Sequence, residues 1–252
     1  MRIAVIGAGW AGLACAVEAT RAGHLVTLFD AARMPGGRAR RIDAGHNGAP
    51  LDNGQHILIG AYRDTLALMR TVGVEPDDML HRTPLSLRFA DGGGLALPRM
   101  AAPLDLLVGI ATARGWTWAD KASLLRTAMR WRRARFHCTP EATVATLCRG
   151  LTRRVMQELI EPLCVSALNT PIDESSGTVF LRVLEDALFT ERGGADLLLP
   201  RVDLGALLPD AAVRWLGLRA ATVRTGCRVQ TLVRTDTHWQ VDGEDFDRVV
   251  IA

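Results

Sequence analysis

The period of apolar and polar positions changes several times along this chain, and each change marks an element. Residues 2–6 (RIAVI) are a short, nearly unbroken apolar run, the pattern of a strand buried on both faces of a parallel sheet. Residues 13–22 are rich in alanine and read as a helix stopped by Gly23. A second strand is expected over 24–29 (HLVTLF), ending at the acidic Asp30. Residues 61–72 carry a helical apolar stripe ended by Gly73. Residues 85–89 and 95–97 flank the turn Asp91-Gly92-Gly93-Gly94 and predict a hairpin. From about 103 to 188 the pattern is mainly helical, with Pro162 expected to kink or end one helix and Thr170-Pro171 to end another. Residues 204–219 predict a helix with an internal Pro209. Strands at 229–234 and 239–241 of antiparallel type follow, then 248–251, apolar enough for a parallel sheet.

The order at the N-terminus carries chemistry. Gly7, Gly9 and Gly12 in GAGWAG stand between the first strand and the first helix, and Asp30 closes the second strand. Strand, glycine turn, helix, strand and acid make a dinucleotide-binding unit. Gly7 permits the tight turn, Gly9 lets backbone approach a diphosphate, and Gly12 lets the helix pack close to the strand. The helix N-terminus offers free N–H groups to the diphosphate, and Asp30 can accept from ribose hydroxyls. Asp30 suits NAD or FAD. Met34-Pro35-Gly36-Gly37-Arg38 follows, where a glycine pair lets the chain pass close to a cofactor and Arg38 can meet a phosphate or ring edge. Alternatively, with Arg33, Arg40 and Arg41 beside it, the stretch is a solvated basic loop.

Composition narrows the classes without choosing among them. The 252 residues are 48% hydrophobic and 23% charged, which is ordinary globular composition, and a net charge of +3 gives no case for nucleic acid as a partner. Lys121 is the only lysine. Five scattered cysteines without a CxxC, and six histidines without metal spacing, argue against a disulfide framework and a metal site and suggest a reducing compartment. Met1 leads directly into the first apolar run with no signal-peptide pattern, and no segment approaches ~18 consecutive apolar residues. A cytoplasmic protein, soluble or peripheral to the inner face of the membrane, is expected.

The stretch LDNGQHILIG at 51–60 pairs a turn signal, Asn53-Gly54, with the hydrogen-bonding side chains of Gln55 and His56. A second stretch, 114–137, mixes Trp116, Trp118 and Trp131 with Arg126, Arg130, Arg132, Arg133 and Arg135. Tryptophan among arginines suits a membrane interface, and equally a helix with a basic solvated face.

VIGAGWAGLACAVEATRAGHLVTLFDAARMPGGRAR resembles the FAD-binding signature of the amine oxidase and phytoene desaturase superfamily, which runs from the glycine turn through an acid to GGR. Asp30 stands where glutamate is usual, and Ala19 where leucine is usual. LDNGQHILIGAYRDTLALMRTVGV, ALNTPIDESSGTVFLRVLEDALF and GGADLLLPRVDLGALLPDAAVRWL resemble one branch, the hydroxysqualene dehydroxylases. The resemblance implies an α/β fold: a Rossmann-like FAD-binding domain (GR2-type flavoprotein) with an inserted, largely helical substrate domain. The FAD domain is expected at 1–75 and 195–252 and the insertion at 76–194. Family members continue past DRVVIA, so a C-terminally truncated member is expected, and an inactive nucleotide-binding fragment is one reading of it.

The implied cofactor is FAD and the implied substrate a hydrophobic squalene-type isoprenoid, with reductive loss of an allylic hydroxyl from hydroxysqualene. The expected cofactor-binding residues are Gly7, Gly9, Gly12, Leu13, Asp30, Gly37, Arg38, Asn53, Gly54 and Val229. The expected catalytic pair is His56 and Gln55, the latter holding a water, and Tyr62 is a weaker proton donor. An oxidative FAD desaturase, an amine oxidase and an NAD-dependent dehydrogenase stand as alternatives.

Overall fold

A computed structural model describes residues 1–42, 51–190 and 192–252. The chain divides into two compact units: residues 1–58, 63–81 and 198–252 in the first, and 59–62 and 82–197 in the second. The expected partition set its boundaries at 75/76 and 194/195; the structural one runs on to 81 and gives residues 59–62 to the second unit.

The first unit is built on four parallel strands. Strand β1 (Arg2–Ile6) lies between β2 (Leu25–Asp30) and the strand Arg248–Ile251, and Thr222–Thr225 adds to the outer edge of β2. Register aligns Ile3 with Arg248 and Ile6 with Phe29. Side chains alternate across a strand, so Ile3, Val5, Val26 and Leu28 face one layer while Ala4 and Phe29 face another. The first layer is helical: α1 (Trp10–Arg21) and the helix Pro209–Gly217 bury Leu13, Ala16, Val17, Ala212 and Leu216 there. The second is an antiparallel sheet of Leu232–Arg234, Trp239–Val241 and Glu244–Phe246, which supplies Val241 and Phe246. Phe246 meets Phe29 edge-to-face at 6.1 Å between ring centres. Cover on both faces is why RIAVI shows no polar alternation.

Local boundaries move where packing or proline decides them. Helix α1 starts at Trp10, three residues before the expected start, because Gly9 leaves the glycine turn extended and N-caps it directly. The helix expected over 204–219 is two, Leu204–Leu207 and Pro209–Gly217. Leu208 (φ −147°) breaks the ladder, and Pro209 takes a first-turn position where its missing N–H is harmless. The strand expected from Val229 begins at Leu232. Asn53-Gly54 does not join two paired strands. It follows Leu51–Asp52, which pairs antiparallel with Arg41–Ile42.

The second unit is mainly helical with the expected hairpin, Ser86–Arg88 against Gly94–Ala96. Pro162 neither ends nor interrupts its helix. It sits in the first turn of Glu161–Leu168, directly after a π-helical turn at Met156–Ile160 that absorbs the missing donor. That helix ends before Thr170-Pro171 with Asn169 left-handed (φ 53°). The tryptophans of 114–137 divide. Trp116 and Trp131 are buried in this unit's core, Trp116 donating its indole N–H to Glu158 Oε2 (2.8 Å), while Trp118 is 83% exposed. The indole N–H of Trp131 has no acceptor among the described residues.

One carboxylate fastens two helix starts in this unit. Thr117 caps the helix Trp118–Arg133 in a capping box with Asp120, whose Oδ2 accepts from the Thr117 N–H (2.8 Å) and hydroxyl (2.7 Å). Asp120 Oδ1 accepts from the hydroxyl of Thr152 (2.5 Å), itself the cap of a later short helix, Arg153–Val155. The Thr152 bond, foremost, holds the buried Asp120 carboxyl below the usual carboxylate value. A group depressed in this way stabilises the fold at pH above its ordinary value, and that contribution fades as pH falls through its folded value. Asp120→Asn should therefore cost about 2 kcal/mol at neutral pH and flatten the stability profile below about pH 4. Urea midpoints measured at neutral pH and through the acid range would check both; identical profiles for variant and wild type would refute the role.

Candidate functional site

The site grows from crowding at the glycine turn. A side chain on Gly7 would strike the carbonyl of Ala252, and one on Gly12 would strike the carbonyl of Gly7. Gly7 is also at φ 111°, where side-chain-bearing residues rarely go. The pair Gly36-Gly37 docks onto the same turn. Gly36 N–H donates to Ala8 O (2.7 Å), and a Cβ on Gly37 would stand 3.0 Å from the Gly9 Cα. Gly37 is thus required by contact with the turn itself, whereas a Cβ on Gly36 (φ 114°) would meet Ala39 and Arg40 of its own segment. Trp10 reinforces this docking by donating its indole N–H to Ala39 O (2.9 Å).

Asp30 completes the cradle. Its Oδ2 accepts from the Ala8 N–H (2.6 Å) and its Oδ1 from the Ala32 N–H (2.7 Å), so the carboxylate is pinned beside the turn with further lone pairs open. No side chain caps α1 and its first turn carries no acid, so the helix N-terminus keeps its donors and positive dipole end for an anion. Next to the docked glycines, Arg40 Nε is buried without a partner among the described residues. Such an orphan points to a missing polar ligand. Sequence reading missed Arg40, because a run of arginines in a loop reads as solvated and only tertiary packing buries one of them.

The other expected residues separate into groups. Asn53 donates its N–H to Arg40 O (2.9 Å) and its side-chain amide to Arg38 O (3.1 Å), so 53–54 lies against the GGR segment, with Gly54 at φ 95°. Arg38 is exposed. Leu13 has its side chain fully buried and its N–H donated to Gly9 O, so its contribution is packing. Val229 packs against the Ala4–Phe29 side of the sheet. Gln55 is exposed and His56 half-buried, and neither forms a hydrogen bond among the described residues. Tyr62 is 45% exposed and belongs to the second unit.

The second unit's apolar core offers little room or reactivity. Its wholly apolar cavity, lined by Leu85, Ile110, Trp131, Leu159 and Phe189 among others, is about 40 Å³, the room of a water or two. Burial pushes the Cys148 thiol up to about 12, so it stays protonated. No three His, Cys, Asp or Glu side chains among the described residues could share a metal ion, and no described helix is long and apolar enough to cross a membrane.

Residues 10–252 match the family model for flavin containing amine oxidoreductases. The chain belongs to that family. Hydroxysqualene dehydroxylase of Sinorhizobium fredii is 27% identical over 243 residues, covering 92% of this chain and 54% of the relative. A probable zeta-carotene desaturase of Synechococcus elongatus is 34% identical over 127 residues, 48% of this chain and 26% of the relative. Among solved structures, an oxidoreductase from Methanosarcina mazei superposes on the whole chain with a TM-score of 0.70 at 17% identity, covering 58% of that protein, a likeness of fold. The chain spans about half the length of the hydroxysqualene dehydroxylases it matches.

The family's cofactor is FAD, and the residues present fit it: an uncapped helix N-terminus, a turn stripped of side chains, a pinned carboxylate for the ribose and a buried Arg40 Nε without a partner among the described residues. Gly12→Ala places a Cβ against the Gly7 carbonyl, which cannot retreat without moving β1. It should destabilise the protein by about 3 kcal/mol or more and abolish flavin retention. Urea unfolding and flavin absorbance after gel filtration would check this; an unshifted midpoint with bound flavin would contradict it.

Proposed function

We propose that this chain carries the FAD-binding part of an oxidoreductase that removes an allylic hydroxyl reductively from hydroxysqualene, giving squalene. What supports the reading most is the assembled cradle, in which the Asp30 carboxylate is hydrogen-bonded to the glycine turn and Gly36-Gly37 is docked upon it. The substrate class rests on similarity to hydroxysqualene dehydroxylases across nearly the whole chain.

Bound in its reduced form, FAD would supply the hydride that replaces the hydroxyl. The chain's own residues do the rest. The N-terminus of α1 and the turn Gly7–Gly12 bind the diphosphate, and Asp30 accepts from the ribose. Asn53, by holding the carbonyls of Arg38 and Arg40, fixes the segment that carries Gly54, Gln55 and His56. A proton must reach the departing oxygen so that it leaves as water. His56, whose ring makes no hydrogen bond among the described residues, is assigned that delivery, with a water held by Gln55 as its relay.

A second reading, an oxidative FAD desaturase, is favoured by the similarity to zeta-carotene desaturases. Direction separates the two. Anaerobic incubation of the flavin-loaded protein, reduced chemically, with hydroxysqualene should yield squalene by mass spectrometry; unchanged hydroxysqualene sinks the dehydroxylase reading. His56→Ala should lower the rate about 10²-fold or more with flavin binding intact, and an unchanged rate would remove His56 from proton delivery.

A further inference from the structure

The helix Trp118–Arg133 presents an outer face opposite its buried one, with Leu125 alone of the outer apolar residues packing partly against the core. Asp120, Ser123, Leu124, Thr127 and Trp131 are buried on the core side. At 100° per residue, Trp118, Ala122, Leu125 and Met129 fall within a stripe about 60° wide on the opposite side. Trp118 is 83% exposed and Met129 51%, with Ala122 exposed and Leu125 half-buried. The same spacing puts Lys121 and Arg132 along one border of the stripe and Arg126 and Arg133 along the other. The helix contains one acid, Asp120, and it is buried in the capping box, so every exposed charge on this helix is positive. Arg126, Arg132 and Arg133 have no partner among the described residues.

The cations on the helix are placed at the borders of the apolar stripe. Lys121 lies 5.3 Å from the Trp118 ring centre and donates to Ala111 O (2.7 Å), joining this helix to the end of Leu104–Thr112, which leaves Leu104 and Leu107 exposed as well. Water leaves such a stripe unsatisfied. A second helix would cover the apolar residues but would leave the two cationic borders without counter-charge. A surface that is apolar below a layer of negative groups satisfies both, with tryptophan at the boundary and guanidinium groups against phosphates.

We propose that the outer face of Trp118–Arg133 is a docking surface for anionic phospholipid, seated through Trp118 and Met129 and held by Lys121, Arg126, Arg132 and Arg133. The assignment rests on this face alone and does not depend on the substrate of the flavin site. It also differs from the composition of the stretch, since Trp116 and Trp131 take no part.

Co-sedimentation of the flavin-loaded chain with phosphatidylglycerol/phosphatidylcholine vesicles, and with phosphatidylcholine alone, tests it. Wild type should partition onto the anionic vesicles, and less as salt rises. Arg126→Gln/Arg133→Gln should weaken that partition about 25-fold, near fivefold per cation removed, while the charge-matched control Arg228→Gln/Arg248→Gln should not. Trp118→Ser/Met129→Ser should abolish binding to the anionic vesicles. Absence of wild-type binding, or equal partition of all variants, would overturn the proposal. So would a stripe variant that loses only a dimer on gel filtration and still sediments, which would assign the face to a second copy of the chain.

Discussion

Three segments of main chain meet at the glycine turn more closely than side chains allow, and the rest of the first unit is arranged around that meeting. The carbonyl of Gly7 occupies the space of a Cβ on Gly12, the carbonyl of Ala252 that of a Cβ on Gly7, and Gly37 rests on Gly9. Helix α1 can therefore start directly off β1, with its N-terminal donors aimed out of the turn instead of at a side-chain cap. The strand Arg248–Ile251, paired parallel to β1, ends beside the turn. Asp30 then ties the end of β2 to the turn through the Ala8 N–H.

Crowding of this kind is sustained only where the surroundings hold it in place, and the three-layer arrangement does so. Val5 and Leu28 are clamped by α1 and the helices after Leu204, while Ala4 and Phe29 are clamped by Val241 and Phe246. Ion pairs are peripheral to this frame. Arg224 and Glu244 meet with both side chains about two-fifths exposed, so solvent screening leaves their contribution small. Arg41 bridges Asp203 and Asp210 from a half-buried position and links the GGR-side strand to the helix starts at Leu204 and Pro209.

Much of this frame was legible in the sequence because its causes are local. RIAVI, the three glycines and Asp30 at the end of the second strand each state a requirement of their own backbone. Where the cause is distant, reading failed or stopped short. Asn53-Gly54 has the chemistry of a hairpin turn, yet Asn53 spends its donors on Arg38 and Arg40, which no local rule connects to it. Burial of Arg40 Nε is likewise a tertiary fact. Proline rules announced a kink or an end at 162, which took the form of a π-helical turn, while the single helix expected through Pro209 is broken before it. The tryptophans are a different case. Trp118 and Trp131 are thirteen residues apart, which on a helix puts them on opposite sides. Composition merged what periodicity could have separated.

The cradle itself is indifferent to the direction of the chemistry. Glycine turn, helix N-terminus and pinned acid act on diphosphate and ribose, which do not change when a flavin is oxidised or reduced, so relatives named as dehydroxylases and as desaturases can share it. What distinguishes the two reactions is proton traffic at the reacting carbon. Reductive loss of a hydroxyl requires a proton delivered to oxygen, whereas desaturation requires one removed from carbon. A half-buried histidine without a fixed hydrogen bond can serve the first need, and it sits on the segment that Asn53 ties to GGR. The cradle thus fixes where the segment lies while leaving its chemistry free to differ between relatives.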